Sequence, residues 1–92
     1  MMQVLVRLPT HLDHYSGGQR ELGLDLADDA TLGDALDLLE QRYRGIRFRI
    51  IDEQDNIRRH IRVFVDGANA AKLSAPLRAG SEVMVVAALS GG

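Results

Sequence analysis

The sequence predicts a small α+β domain in which one main helix lies across one face of a sheet. Three observations point there. Two hairpin-like stretches flank a single strongly periodic helical stretch, and the final apolar run, Val83 to Leu89, is apolar at both odd and even positions. Third, 92 residues leave room for one modest core and no second lobe.

Gln3 to Leu8 is short, apolar and β-branched, and Pro9 ends it, which reads as a strand. Thr10 to Arg20 contains Ser16-Gly17-Gly18 and reads as the long turn of a hairpin. The strand after it, Glu21 to Leu26, alternates polar and apolar residues. Thr31 can accept the N–H three residues on, Asp34 sits near the positive end of the helix dipole, and Gly45 supplies the stop. Leu32, Ala35, Leu36, Leu39 and Tyr43 then form one stripe, so the helix runs over about residues 32 to 43. Phe48, Ile50 and Ile51 are expected to form satellite core under a connecting loop.

His60 to Asp66 reads as a strand with Ile61, Val63 and Val65 on one face. Asp66-Gly67 is a turn signal that should return the chain through Ala68 to Leu73. Pro76 and Gly80 bracket a short loop. Glu82 to Leu89 is too apolar on both parities for an edge, so it is expected in the centre of the sheet beside the first strand. Burying Val83, Val85 and Ala87 under the helix leaves Met84, Val86 and Ala88 on the open face near Phe64 and Leu5, an apolar patch of the kind that marks a contact site.

Composition excludes several functions. There is no cysteine, so cysteine-ligated zinc, iron–sulfur and disulfide frameworks are out. No stretch approaches the length and apolarity of a membrane span, and no secretory leader is recognisable, so the expected compartment is the cytoplasm. The formal net charge of −2 hides an asymmetry. Residues 1–41 carry two basic and eight acidic side chains, whereas residues 42–62 carry seven arginines against Asp52, Glu53 and Asp55, a net of +4. With four aromatic residues and no binding motif, nucleic acid is not the expected partner. The arginine-rich segment reads as a solvated, partly ion-paired surface or a docking face for an acidic protein.

Other candidates reduce to ordinary surface. His11, Asp13 and His14 lack a well-spaced further ligand, with His60 far along the chain, so no metal is assigned. Gly17-Gly18 lacks the Lys-Ser/Thr of a phosphate loop. No serine, histidine and carboxylate spacing suggests a nucleophile, and no catalytic residue is assigned. The chain closes on Ser90-Gly91-Gly92 directly after the central strand. Two glycines without Cβ atoms can enter a narrow channel of another protein and carry a carboxylate to a reactive centre. The expected organisation is therefore a domain over residues 1–89 with a Gly-Gly tail over 90–92.

The chain resembles the ubiquitin-like β-grasp sulfur carriers, the family of the small molybdopterin synthase subunit (MoaD) and the thiazole-synthesis carrier (ThiS). The resemblance lies in the first strand with Pro9, Thr31-Leu32-Gly33-Asp34-Ala35-Leu36, Val63-Phe64-Val65-Asp66-Gly67, Leu77-Arg78-Ala79-Gly80-Ser81-Glu82-Val83 and terminal Gly91-Gly92. Leu8-Pro9-Thr10 and Gly17-Gly18-Gln19 look most like the cysteine-biosynthesis (CysO-like) branch. The resemblance implies a β-grasp fold, with a mixed sheet of four to five strands and one main helix across one face. It also implies a carrier rather than an enzyme. An E1-like activating enzyme of MoeB/ThiF type would adenylate the Gly92 carboxylate with ATP and magnesium, and a sulfur donor would convert it to a thiocarboxylate. A pyridoxal-phosphate-dependent cysteine synthase would then accept the sulfur, with molybdopterin or thiazole assembly as the alternative destination. Ser90 and Gly91 would form the tail, Phe64, Met84, Val86 and Ala88 the partner-binding face, and no cofactor would be held permanently. From another class, a protein tag joined to lysines or an inert interaction module would share the same letters.

Overall fold

The computed structural model describes residues 1–87, and the expected tail over 90–92 lies outside them. Strands β1 (Met2–Arg7), β2 (Glu21–Leu26), β3 (Ile61–Val65), β4 (Ala68–Asn69) and β5 (Glu82–Ala87) form one mixed sheet in the order β2-β1-β5-β3-β4. As expected, β5 is central and lies beside β1. It runs parallel to β1 (Val6 opposite Val83) and antiparallel to β3 (Val63 opposite Val85).

The alternation read in β2 is real. Leu22, Leu24 and Leu26 are buried, and they face the core with Val4, Val6, Val63, Val83 and Val85. The main helix, α2 (Leu32–Arg42), closes that core with Leu32, Ala35, Leu36 and Leu39. Its start is a full capping box. The Thr31 N–H donates to Asp34 Oδ2 at 2.9 Å, and the Asp34 N–H donates to Thr31 Oγ1 at 3.4 Å. Two further N–H groups that a helix leaves unpaired at its start find partners in the 70–81 segment. Leu32 donates to the Ala75 carbonyl and Gly33 to the Leu73 carbonyl, both at 2.9 Å. A Cβ on Gly33 would stand 3.3 Å from Leu73 Cβ, so the glycine permits this close approach.

Three expectations are corrected. Thr10 to Arg20 does connect an antiparallel hairpin of β1 and β2, but it is not a plain turn. It contains a 3₁₀ turn (Thr10–Leu12) and the short helix α1 (Asp13–Ser16), whose Leu12 and Ser16 are buried, and Gly17 ends α1 at φ 64°. Leu12 is an apolar plug that a loop-like composition conceals. Ile46 to Ile50 is also a helix, α3, and Ile46, Ile50 and Ile51 belong to the main core rather than a satellite, while Phe48 is 54% exposed. The helical register turns Phe48 away from the side that Ile46 and Ile50 bury. Finally, the return from Asp66-Gly67 pairs over Ala68–Asn69 alone. Asp66 (φ 52°) and Gly67 (φ 84°) are both left-handed, the geometry of a two-residue hairpin turn.

Two carboxylates fasten these parts. Glu40 accepts the Gly45 and Arg47 N–H groups at 2.8 and 2.9 Å, joining α2 to the start of α3. Asp66 accepts the Glu82 N–H and the Ser81 hydroxyl, both at 2.9 Å, and Ser81 Oγ accepts the Arg78 N–H at 3.0 Å. These hydrogen bonds hold both carboxyls below their ordinary values. In Glu40 the Gly45 N–H contributes most and then that of Arg47; in Asp66 the Glu82 N–H leads and then Ser81. A depressed folded-state pKa stabilises the fold above the unfolded value and ceases to do so as pH falls through the folded one. Stability should therefore be flat above about pH 5 and fall below about pH 4. Asp66→Asn should lower stability at neutral pH by about 1 kcal/mol and shrink the loss between neutral and acid conditions. Urea midpoints of both proteins at the two pH values check this, and an undiminished acid loss in the variant would exclude Asp66 as a contributor.

Candidate functional site

The two faces of β5 differ sharply. Val83 and Val85 are buried against the helical layer, with Val85 2% exposed, whereas Met84 on the opposite face is 37% exposed. Ala87, expected in the buried set, is only half-buried. Ladder register then fixes what surrounds Met84. Phe64 of β3 lies directly opposite it on one side and Arg7 of β1 on the other, while Val86 lies opposite Arg62. Phe64, Val86 and Leu5 are half-buried. The structure thus brings Phe64, Met84 and Val86 together as the sequence suggested. Ala88, Ser90, Gly91 and Gly92 lie outside the described residues.

Sequence reasoning missed the polar half of this face. Arg7 shares parity with Leu5 in β1 and therefore the open side. Its guanidinium pairs with Glu21 of β2 through Nη1 and with Glu82 of β5 through Nε, the latter at 3.0 Å. Arg7 interrupts the first apolar run, and that interruption was the available signal. Gly23 of β2 stands opposite Leu5 with no heavy atom within 4 Å of where a Cβ would be. Together with Gln3, Ala79 and Gly80 it leaves a dent of about 300 Å³ in the open face.

The loop histidines make a different pattern from the one expected. His11 and His60, distant in sequence, meet edge to face with ring centroids 6.4 Å apart. Asp13 is taken by Arg20, whose Nη2 donates to it at 2.7 Å and holds its carboxyl below the ordinary range. His14 packs edge-on against Tyr15 at 5.4 Å. Among the described residues no group of three or more His, Cys, Asp and Glu side chains could hold a metal ion, and no helix is long and apolar enough to cross a membrane.

Much of the arginine-rich segment is structural. Arg47 reaches Asp37 at 2.9 Å and Asp55 at 3.4 Å, Arg42 donates to the Gly23 carbonyl at 3.3 Å, and the Arg58 guanidinium lies 4.5 Å above the Phe48 ring. Arg59, His60 and Arg62 remain exposed where β3 begins, and β3 begins opposite Ala87 at the end of β5. The arrangement is an apolar and ion-paired sheet face, with a basic margin at the point where residue 87 is reached.

This geometry agrees with three comparisons. The sequence profile of the ThiS family matches residues 6–92. Small archaeal modifier protein 1 of Haloferax volcanii is 35% identical over 75 residues, covering 82% of this chain and 85% of its own. Its crystal structure covers 98% of this chain and 99% of its own with a TM-score of 0.82 at 31% identity. Sulfur carrier protein CysO of Mycobacterium tuberculosis is 29% identical over 96 residues, covering 99% of this chain and 100% of its own. A complex of BexX and CysO from Amycolatopsis orientalis superposes with a TM-score of 0.82 at 29% identity, covering 97% of this chain and 99% of that chain.

The asymmetry of β5 is testable without any partner. Val85→Ala should cost about 2 kcal/mol through lost burial and the cavity left behind. Met84→Ala, on the open face, should cost less than about 1 kcal/mol. Urea denaturation of the two variants measures the difference, and equal losses would contradict the assignment of faces.

Proposed function

The chain belongs to the ThiS family of ubiquitin-like sulfur carriers, and from that membership we propose that Gly92 is the atom-transfer end of a carrier whose destination is cysteine synthesis. The observation that carries the proposal is the family match running through Gly92, five residues beyond the last described position of a central strand.

The chemistry follows from the weakness of a carboxylate as an electrophile. An E1-like enzyme with ATP and magnesium joins the Gly92 carboxylate oxygen to the α-phosphate and releases pyrophosphate. The resulting acyl adenylate has a good leaving group. Hydrosulfide supplied by a sulfur donor attacks the carbonyl carbon, AMP departs with the bridging oxygen, the sulfur's proton goes to solvent, and a thiocarboxylate remains. Its sulfur is anionic at neutral pH and polarisable, hence nucleophilic toward an activated substrate held by a second enzyme such as a pyridoxal-phosphate-dependent synthase. In this reading the open sheet face is the docking surface: Phe64, Met84 and Val86 would offer apolar area, and Arg7 with Glu21 and Glu82 would set orientation. Similarity to CysO over nearly the whole chain supports the cysteine destination over pterin or thiazole assembly.

The 35% identity to a small archaeal modifier protein favours a second reading, in which the activated Gly92 is joined to lysine amines. Lys72 is the sole lysine of the chain and is exposed, so self-linked chains would use it or the N-terminus.

Intact-mass measurement after incubation with an E1-like enzyme, ATP, magnesium and a sulfur donor should show oxygen replaced by sulfur on the C-terminal peptide. The chain lacking Gly92 should show none. Persistence of the modification without Gly92 would refute the carrier mechanism. Covalent ladders that disappear on Lys72→Arg would establish self-conjugation through that lysine.

A further inference from the structure

Four arginines of the described residues have a carboxylate within reach: Arg7 with Glu21 and Glu82, Arg20 with Asp13, Arg47 with Asp37 and Asp55, and Arg78 with Asp66 at 4.0 Å. The outer edge of β3 is different. A cleft of about 400 Å³ there is walled by Arg58, Arg59 and Arg62 together with Asn56 and Asn69, and none of its lining residues is acidic. The cleft exists because β4 pairs only with Phe64 and Val65, leaving the first half of β3 without a neighbouring strand on the side away from β5. Two of its guanidinium groups, those of Arg58 and Arg62, are held in place. Arg58 stacks on Phe48 and its Nε donates to the Phe48 carbonyl at 2.6 Å, while Arg62 Nη1 donates to the Arg59 carbonyl at 2.9 Å. Three cations held in one concavity repel one another; Asp52 acts on Arg58 at longer range, but among the described residues no carboxylate lies within 4 Å of Arg59 or Arg62 to form an ion pair.

The cleft also borders the exit of the chain. Arg62 lies opposite Val86 and Ile61 opposite Ala87, so the same residues that wall the cleft flank the last described residues of β5. We propose that this cleft docks an acidic loop of the enzyme that takes the tail. The inference rests on Gly92 being the group that enzyme acts on. Charge complementarity selects the occupant. Residues 1–41 carry a net of −6, so an acidic protein surface is repelled by the rest of the domain and drawn to this end, which turns the tail toward the partner during encounter. A nucleic acid fits less well, because the aromatic ring beside the cleft, Phe48, has its face occupied by Arg58 and offers bases no stacking platform.

The test is the rate of pyrophosphate release by the E1-like enzyme as a function of carrier concentration, for the wild type, Arg59→Glu/Arg62→Glu, and Arg44→Glu, an exposed arginine outside the cleft. The double variant should raise KM for the carrier about tenfold at low ionic strength with kcat unchanged, and the gap should close as salt is added. Arg44→Glu should behave as wild type. A wild-type KM in the double variant, or an equal rise in Arg44→Glu, overturns the docking site while leaving the carrier chemistry standing. An unchanged KM accompanied by loss of oligonucleotide binding in a gel-shift assay overturns it in favour of nucleic acid. No pyrophosphate release with wild-type protein overturns both readings.

Discussion

The fold depends on holding β5 between two neighbours. Its parallel pairing with β1 and antiparallel pairing with β3 place the last described strand in the middle of the sheet, where both sides are hydrogen-bonded and one face is packed under α2. A strand at an edge would lose half of those bonds and could fray from its end. Central placement requires a crossing segment between β4 and β5. That segment, residues 70–81, is not idle length, because it caps the start of α2 through Ala75 and Leu73 and closes on Ala30 through the Leu77 N–H at 3.0 Å. One excursion therefore delivers β5 to the centre and satisfies amides that α2 cannot satisfy itself.

Short sequence signatures acquire physical causes in this frame. Thr31-Leu32-Gly33-Asp34 is a capping box around a glycine whose missing Cβ makes room for Leu73, whose own Cβ would stand 3.3 Å from an added one. Asp66-Gly67 does more than turn the chain. Its carboxylate reaches across to Ser81 and Glu82, fixing where β5 begins relative to β3. Ser81 is 2% exposed, and both its donor and acceptor roles are filled, so a buried hydroxyl there is stabilising. The Asp66, Gly80-Ser81 and β5 signatures are parts of one clamp separated by fifteen residues.

The architecture was legible where periodicity was strong. The α2 stripe, the alternation of β2 and the two-sided apolarity of β5 each yielded an element in its observed place. Legibility failed where a segment was short and its burial depended on tertiary partners. Leu12 is a single apolar residue in polar surroundings, and the run from Ile46 to Ile51 is too short and too interrupted by arginines to fix a helical period. Phe48 failed in the opposite sense, since an aromatic residue between isoleucines reads as core until a helical register turns it outward. At the candidate site, Phe64, Met84 and Val86 followed from parity. The contacts of Arg7 and the meeting of His11 with His60 join separate elements, and only the strand order creates them.

The open face is built so that it can be covered. An apolar patch alone would expose Phe64 and Met84 to self-association, and a charged row alone would be costly to desolvate. Here the row through Met84 continues into Arg7, which is already paired with a carboxylate on each side. A partner that closes over the face buries one guanidinium with its two counter-ions, a net of −1, and needs to supply a single positive group to leave no buried charge unpaired. That requirement is local to one sheet face, whereas the uncompensated arginines lie at the margin where residue 87 is reached. An acidic loop at the margin and a cation over Glu21 or Glu82 are opposite demands on the same partner. Meeting both fixes the rotation of the domain about its contact as well as its position, which is what delivering one terminal atom to one reactive centre requires.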